Sequence, residues 1–164
     1  MFKHEPVDLG YEDLATISKG GRQYVIEKTD VKTVYYPSIT NLLGNLSKEA
    51  IKAWRDRIGH EEANKISRQA AGRGTAVHQV CEDYVNNNPD YDKDLMPNIL
   101  YDFNRIKDIL DTRIGTVYGQ ELPLYSDHLK VAGRVDCVAE FDGKVSIIDY
   151  KTSRKTKKKE WIHS

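Results

Sequence analysis

The sequence contains too few cysteines to define a zinc protein or an iron–sulfur protein. Its two cysteines, Cys81 and Cys137, are 56 residues apart in a chain of 164, and this separation matches no zinc-binding spacing. Two thiolates are also too few for a cysteine-held iron–sulfur cluster, so none is expected. Free thiols in a reducing compartment are the simplest interpretation, which favours a cytoplasmic protein.

Long apolar segments are also missing. No run approaches the roughly 20 apolar residues that a membrane-spanning helix needs. The first ten residues, MFKHEPVDLG, lack the apolar core of a signal peptide. We therefore expect no membrane association, and the length of 164 residues fits one ordinary domain with a substantial core.

Net charge gives no indication of a partner, because 25 basic residues balance 25 acidic ones. The distribution is more informative. Residues 151–159, KTSRKTKKK, hold six basic residues and no acidic one, which leaves a net charge of −6 on the rest of the chain. Such a run can follow a phosphate backbone, or it can be solvated surface, and the sequence leaves both interpretations open.

The stretch from Val131 to Lys151 predicts a β-hairpin that organises the chain. Asp142-Gly143 lies between two apolar runs, and this dipeptide is the strongest short hairpin signal because both turn positions need positive φ. The turn sets Phe141 opposite Lys144. The same register sets Asp136 opposite Asp149 with Cβ atoms roughly 5 Å apart.

Two neighbouring carboxylates in an apolar ribbon repel each other unless a cation lies between them. The surrounding residues are apolar on both faces, which predicts central strands covered on both sides. A Mg²⁺ ion with carboxylate oxygens at about 2.0–2.1 Å would relieve the repulsion between Asp136 and Asp149. Lys151 projects from the same face as Asp149. The alternative is a simple charged patch in which Arg134 and Lys151 pair with the two acids.

The remaining pattern predicts peripheral strands, then helices, then the central strands. Residues 1–36 are interpreted as a polar lead-in, 1–13, followed by a hairpin or meander of short strands. Residues 37–164 would form the core. Ser38 and Ser47 are the predicted caps of two short helices. A long helical region follows over about 60–88, with an interruption near Gly72–Gly74, and another helix covers Met96–Arg113 and is closed by Gly115. Residues 116–125 are predicted to form a strand.

His78 borders the apolar stripe of the helix that begins near Thr75, and Glu82 lies one turn further along the same side. A single histidine in this position is either a core residue or a ligand. The helix pattern alone does not decide between them.

Four segments together resemble a known family. They are RGTAVH (73–78), GQELPLY (119–125), GRVDCVAEFDG (133–143) and IIDYKTS (147–153), and PSIT (37–40) matches a further upstream segment. In this order they resemble the PD-(D/E)XK nuclease superfamily. Within it they are most similar to the RecB-type exonuclease branch, including the mitochondrial genome maintenance exonuclease and its phage relatives.

This resemblance implies an α/β fold with a restriction-endonuclease-like core, a central mixed sheet flanked by helices. It implies hydrolysis of DNA phosphodiesters, from single-stranded ends, with Mg²⁺ or Mn²⁺ as the cofactor. The implied metal ligands are His78, Asp136, Asp149 and the backbone carbonyl of Tyr150. Lys151 would orient the attacking water and stabilise charge. Glu121 would assist through a water or second metal, or would only pair with Arg134.

The resemblance and the basic run also indicate where DNA would bind. The expected DNA-binding residues are Arg73, Arg134, Arg154, Lys155, Lys157 and Lys158. Tyr150 and Trp161 are available either to stack on unpaired bases or to pack in the core.

The chain departs from the family after Lys151. Relatives continue with a helix carrying Q-x-x-x-Y, whereas this sequence ends 13 residues later without a Gln. We therefore expect an incomplete C-terminal helix, and a second chain that completes the domain is one interpretation. Two functions remain in view: an exonuclease in DNA replication, recombination or repair, or an inactive nuclease-derived module that binds DNA or a partner.

Overall fold

A central sheet with two long helices against it dominates the computed structural model, which describes residues 1–28 and 32–153. In chain order the elements are β1 (Lys3–His4), β2 (Thr16–Ser18), β3 (Arg22–Glu27), β4 (Thr33–Pro37), α1 (Ile39–Leu46), α2 (Lys48–Ile58), α3 (His60–Val85), α4 (Pro97–Arg113), β5 (Ile114–Ser126), β6 (Val131–Phe141) and β7 (Lys144–Ile148). No helix in these described ranges has the length and apolar character to cross a membrane.

The central sheet has the strand order β1-β5-β6-β7 and is mixed, as expected. Strand β1 runs parallel to β5, and the other neighbours are antiparallel. The pairing of Lys3 with Thr116 corrects the expectation of a loose lead-in at residues 1–13. The Phe2 amide also donates to Asn87 Oδ1 at 2.7 Å, so the first residues are fixed to both the sheet and the end of α3.

The β6–β7 hairpin has the predicted turn and register. Phe141 faces Lys144, and the pairing continues to Cys137 opposite Ile148. Asp142 and Gly143 have φ values of 52° and 74°, the positive values that a tight two-residue turn requires. Local turn chemistry therefore sets the register of the strand that carries Asp136.

Helices α3 and α4 pack on one face of the central sheet. Their apolar stripes and the sheet share one core cluster, whose buried members are Val77, Val80, Cys81, Val85, Ile99, Phe103, Leu110, Ile114, Val117, Cys137, Ala139 and Tyr150. Phe103 of α4 lies at its centre, with Tyr84 at 5.2 Å and Tyr91 at 5.4 Å between ring centroids. The core thus fixes α3, which carries His78, against the strand that carries Asp136.

The interruption predicted near Gly72–Gly74 is absent, because α3 is continuous from His60 to Val85. A glycine inside a helix costs about 1 kcal/mol relative to alanine, which tertiary contacts can offset. Between the two glycines, Arg73 forms a two-pronged ion pair with Asp102 of α4. That contact helps hold this turn of α3 to its neighbour.

Strand β7 was predicted to be a central strand covered on both faces, and the structure differs from this prediction. Within the described residues β7 is an edge strand, and the side chains of Val145 and Ile147 are 68% and 65% exposed. Side chains alternate along a strand, so these two project from the face opposite Ile148. Only the face of Cys137, Ala139 and Ile148 packs against α3 and α4.

The predicted peripheral meander is confirmed as a second sheet, β2-β3-β4. Its buried residues, Leu14, Tyr24, Ile26 and Tyr36, form a small cluster with Ala132 at the start of β6. Ser38 and Ser47 occupy the N-cap positions of α1 and α2 as predicted, although neither hydroxyl bonds its helix.

Gly115 does not close α4 as predicted, since the helix ends at Arg113 and β5 begins at Ile114. Gly115 instead allows a close approach within the sheet. A Cβ atom there would lie 2.6 Å from Glu140 Oε2, the oxygen that accepts the Thr116 amide. A side chain at position 115 would therefore displace the Glu140 carboxylate from this contact.

Replacing Phe103 with alanine should strongly destabilise the fold. The Phe103 side chain is 0% exposed, and emptying such a site costs about 3–5 kcal/mol of unfolding free energy. Tyr101→Ala on the same helix is the matched control, because Tyr101 is 65% exposed and its loss should cost less than about 0.5 kcal/mol. Urea unfolding measures both. Equal losses would contradict the assigned core, and Phe103→Leu provides a milder variant if the alanine variant does not fold.

Candidate active site

His78 and Asp136 come together where α3 crosses the central sheet. The His78 Nδ1 atom lies 3.3 Å from Asp136 Oδ2, and the two side chains are 32% and 16% exposed. The buried residues Val77, Val80 and Cys81 fix this face of α3 on the sheet, so His78 is held at the border of the core. A helix and a strand that are distant in sequence thus provide two adjacent polar groups.

Asp136 has a second contact with the chain that follows β7. The Tyr150 amide donates to Asp136 Oδ2 at 2.7 Å. The Tyr150 ring is buried and lies edge-on to the His78 ring, with 5.9 Å between centroids. Burial raises the pKa of the Tyr150 hydroxyl, which stays protonated. The ring is therefore a core residue, which corrects the suggestion that it stacks on DNA bases.

Asp149 does not pair with Asp136 in the way the hairpin register predicted. Strand pairing ends at Ile148, and the Asp149 carboxylate forms an ion pair with Lys151 at the exposed surface. Among the described residues no three His, Cys, Asp or Glu side chains are grouped so that they could hold a metal ion. The predicted site residues thus occupy two neighbouring contacts, His78–Asp136 and Asp149–Lys151, which Tyr150 connects.

Glu121 lies on β5 with a φ of 50°, which is uncommon for a residue other than glycine. Arg134 does not pair with its carboxylate, as the alternative interpretation suggested. The Arg134 guanidinium donates to the Glu121 carbonyl at 2.5 Å and forms an ion pair with Asp13 at 2.5 Å. Arg134 therefore holds the backbone of Glu121 and does not neutralise the charge of the Glu121 carboxylate.

Glu82, one turn after His78 on α3, is a further acidic residue near the site and was not among the predicted ligands. Burial raises the pKa of the Glu82 carboxyl, and the negative charges of Glu121 and Asp83 raise it further. The Gln120 side-chain amide donates to the Glu82 carbonyl at 3.2 Å, which joins this turn of α3 to β5. The four-residue spacing from His78 was the sequence signal for this position.

All six residues predicted to bind DNA either make contacts within the fold or lie outside the described part of the chain. Arg73 is committed to Asp102, and Arg134 to Asp13 and the Glu121 carbonyl. The other four, Arg154, Lys155, Lys157 and Lys158, lie outside the described residues, as does Trp161. The contacts of Arg73 and Arg134 have a structural role whether or not DNA is bound.

The two cysteines belong to the core beneath the site. Burial raises the pKa of the Cys81 thiol to about 12 and that of the Cys137 thiol to about 11. Both side chains are buried and neither is in a disulfide. Protonated, inaccessible thiols are poor nucleophiles and poor metal ligands, so these residues serve packing.

These elements define an α/β protein with a polar site at the open end of the antiparallel β6–β7 hairpin. The family model for the PD-(D/E)XK nuclease superfamily matches residues 53–163, about two thirds of the chain. The chain belongs to this nuclease superfamily, whose members generally use divalent metals such as Mg²⁺. No curated protein matches the sequence.

The donor types in the site suit Mg²⁺ or Mn²⁺. Hard carboxylate oxygens with one imidazole favour these ions over softer metals. Asp136 and His78 are already adjacent, and the Tyr150 backbone lies beside them. The residues therefore fit a divalent ion by chemistry, with Asp149 turned towards Lys151.

Glu82→Gln should stabilise the metal-free protein at about pH 8 but not at about pH 4. Because folding raises the pKa of the Glu82 carboxyl, its ionised form destabilises the folded state. This loss of unfolding free energy is complete above the pKa in the folded protein and is absent below the pKa in the unfolded chain. Urea unfolding in a metal chelator at the two pH values measures the effect. Glu12→Gln, which removes a carboxyl at an exposed position, is the matched control. An equal effect of Glu82→Gln at both pH values would contradict a raised pKa of the Glu82 carboxyl in the folded protein.

Proposed function

We propose that this protein is a divalent-metal-dependent DNA exonuclease of the RecB-type branch, which hydrolyses phosphodiester bonds from single-stranded ends. The observation that carries the proposal is the His78–Asp136–Tyr150 contact beside Asp149 and Lys151, within the region that matches the nuclease superfamily. The order of the RGTAVH, GRVD and DYK segments supports the exonuclease branch.

His78, Asp136, Asp149 and the Tyr150 carbonyl would hold the ion in this proposal. Bound Mg²⁺ or Mn²⁺ lowers the pKa of a water molecule and neutralises charge on the phosphate. Both side chains of the Asp149–Lys151 pair are exposed, and such surface pairs contribute at most about 1 kcal/mol to stability. Asp149 can therefore exchange Lys151 for another cation at small cost.

Lys151 would position the attacking water and stabilise the anion that develops at the scissile phosphate. Its ammonium group is exposed and follows Asp149 by two residues, so it lies close to the carboxylates without being buried among them. Glu121 would act through a water or a second ion. Its carboxylate is not paired with Arg134, which supports such a role.

We assign residues 37–164 to the nuclease unit and residues 1–36 to a peripheral part, with roles in DNA replication, recombination or repair, as in phage relatives, in the cytoplasm. The separate β2-β3-β4 sheet and the start of the family match at residue 53 support the division. The β1–β5 pairing ties the first residues to the nuclease sheet.

An inactive nuclease-derived module that binds DNA or a partner chain is the second candidate. The specific observation in its favour is the Asp149–Lys151 ion pair, which occupies both residues of the D-x-K segment. Metal uptake distinguishes the two functions, because a nuclease needs Asp136 and Asp149 to bind the ion and a module does not.

Lys151→Ala should slow the degradation of an end-labelled single-stranded oligonucleotide in Mn²⁺ by about 100-fold or more, as loss of a group that stabilises the transition state does. Lys144→Ala is the matched control, since Lys144 is an exposed lysine at the turn of the same hairpin. Its rate should equal that of the unsubstituted protein.

Calorimetric titration with Mn²⁺ completes this test. Uptake should be lost in both Asp136→Ala and Asp149→Ala, because each removes an anionic ligand. A folded protein that neither takes up Mn²⁺ nor degrades the oligonucleotide would overturn the nuclease proposal in favour of the inactive module.

A further inference from the structure

Two helices extend beyond the core and form a surface that the predicted site residues do not include. We call α2 together with residues 60–72 of α3 the helical arm. Ala63 is buried between the two helices, and Arg55 donates to Asn64 Oδ1 at 2.6 Å. From Asn64 to Gly72 every residue except Ile66 is exposed, so no other described element covers this part of α3.

The arm leads directly to His78. Arg68 precedes His78 by ten residues of one continuous helix, or about 15 Å along its axis. Asn64 lies on the same side of α3 as His78 by helical periodicity, and Arg55 of α2 bonds to it. Lys48, Lys52 and Arg55 share one stripe of α2, which therefore faces the His78 side of the arm.

This side of the arm is positively charged. From Ala63 to Cys81 the sequence has three basic residues and no acidic one, and of the three Arg68 lies nearest the His78 side, about 80° from it by helical periodicity. Within the described residues Lys48, Lys52 and Arg68 are exposed and form no ion pair. The acidic residues of the arm are Glu49, Asp56, Glu61 and Glu62. Asp56 lies one turn beyond Lys52 on the same stripe of α2 and is 3.7 Å from His60, whereas Glu61 and Glu62 lie at the far end of the arm.

Two cations among the described residues near the predicted site have the opposite character. Arg73 and Arg134 are each paired with a carboxylate, of Asp102 and Asp13 respectively. A phosphate that replaced one of these carboxylates would have to break an existing contact. Unpaired cations can instead bind phosphate and release counterions without that cost.

We propose that Lys48, Lys52 and Arg68 bind the phosphodiester backbone of a single DNA strand and direct it along the helical arm towards His78 and Asp136. The inference rests on the proposed function, because it names how that site receives its substrate. The exposed backbone charges of a single strand are the ligand. Base identity has no part in the recognition.

The test is binding of a fluorescent single-stranded oligonucleotide, measured by anisotropy in a metal chelator over a range of salt concentrations. The triple variant Lys48→Gln, Lys52→Gln, Arg68→Gln should weaken binding on the order of 100-fold near 0.1 M salt. Each lost phosphate contact on a single strand lowers the magnitude of the log–log salt slope by about 0.7, so the slope should fall by about 2. Glutamine retains helix propensity.

The matched control is Lys19→Gln, Lys93→Gln, Arg105→Gln, which removes the same net charge at exposed positions outside the arm. It should bind with the slope of the unsubstituted protein. An arm variant with an unchanged slope, a control that loses as much affinity, or an unsubstituted protein that binds no DNA would each overturn the inference.

The two proposals fail separately. If the unsubstituted protein degrades DNA while the arm variant binds normally, the nuclease proposal stands and the arm inference is wrong. If the arm variant alone loses DNA binding and no variant or parent degrades DNA in Mn²⁺, the arm inference stands and the nuclease proposal is wrong. Helix content by circular dichroism confirms that each variant is folded.

Discussion

The contacts of the Asp136 carboxylate are the constraint on which the site depends. This side chain is largely withdrawn from water, and a buried carboxylate is costly unless it is hydrogen-bonded or paired. The Tyr150 amide and the His78 ring provide those contacts. They require the hairpin in its register, the chain after β7 in its path, and α3 packed closely on the sheet.

The parts of the fold that follow from local chemistry could be read from the sequence. The Asp142-Gly143 turn and its register are correct because positive φ at two adjacent positions leaves few alternatives. The meander and the limits of α4 also follow from short-range patterns. The same turn and register place Asp136 on β6, one residue before Cys137, which pairs with Ile148.

The errors arise where contacts between distant segments decide the outcome. The pattern extended β7 to Asp149, but strand pairing stops at Ile148, and the Tyr150 amide donates to the Asp136 side chain on β6. Gly72 and Gly74 predicted a break in α3, yet the helix continues because neighbouring elements support it. Helical spacing indicated that Glu82 lies beside His78, but it could not indicate that burial, with the charge of Glu121 on another element, raises the pKa of the Glu82 carboxyl.

Two groups of cations among the described residues have different surroundings. Arg73 and Arg134 join segments of the fold, whereas Lys52 and Arg68 project from the arm without a carboxylate partner. A basic residue next to a family segment can therefore have a structural partner that the sequence does not reveal, as Arg73 and Arg134 do. The pairing of each cation, which only the three-dimensional structure provides, separates the structural from the available charges.

The Arg73–Asp102 ion pair is largely shielded from solvent, and this affects how the protein responds to ionic strength. Near 1 M salt the screening length falls to about 3 Å, which weakens interactions between exposed charges and affects shielded contacts much less. Asp102 is almost fully covered and is bonded by both prongs of the guanidinium. Concentrated salt during purification should thus remove bound polyanions from the surface while α3 and α4 stay docked.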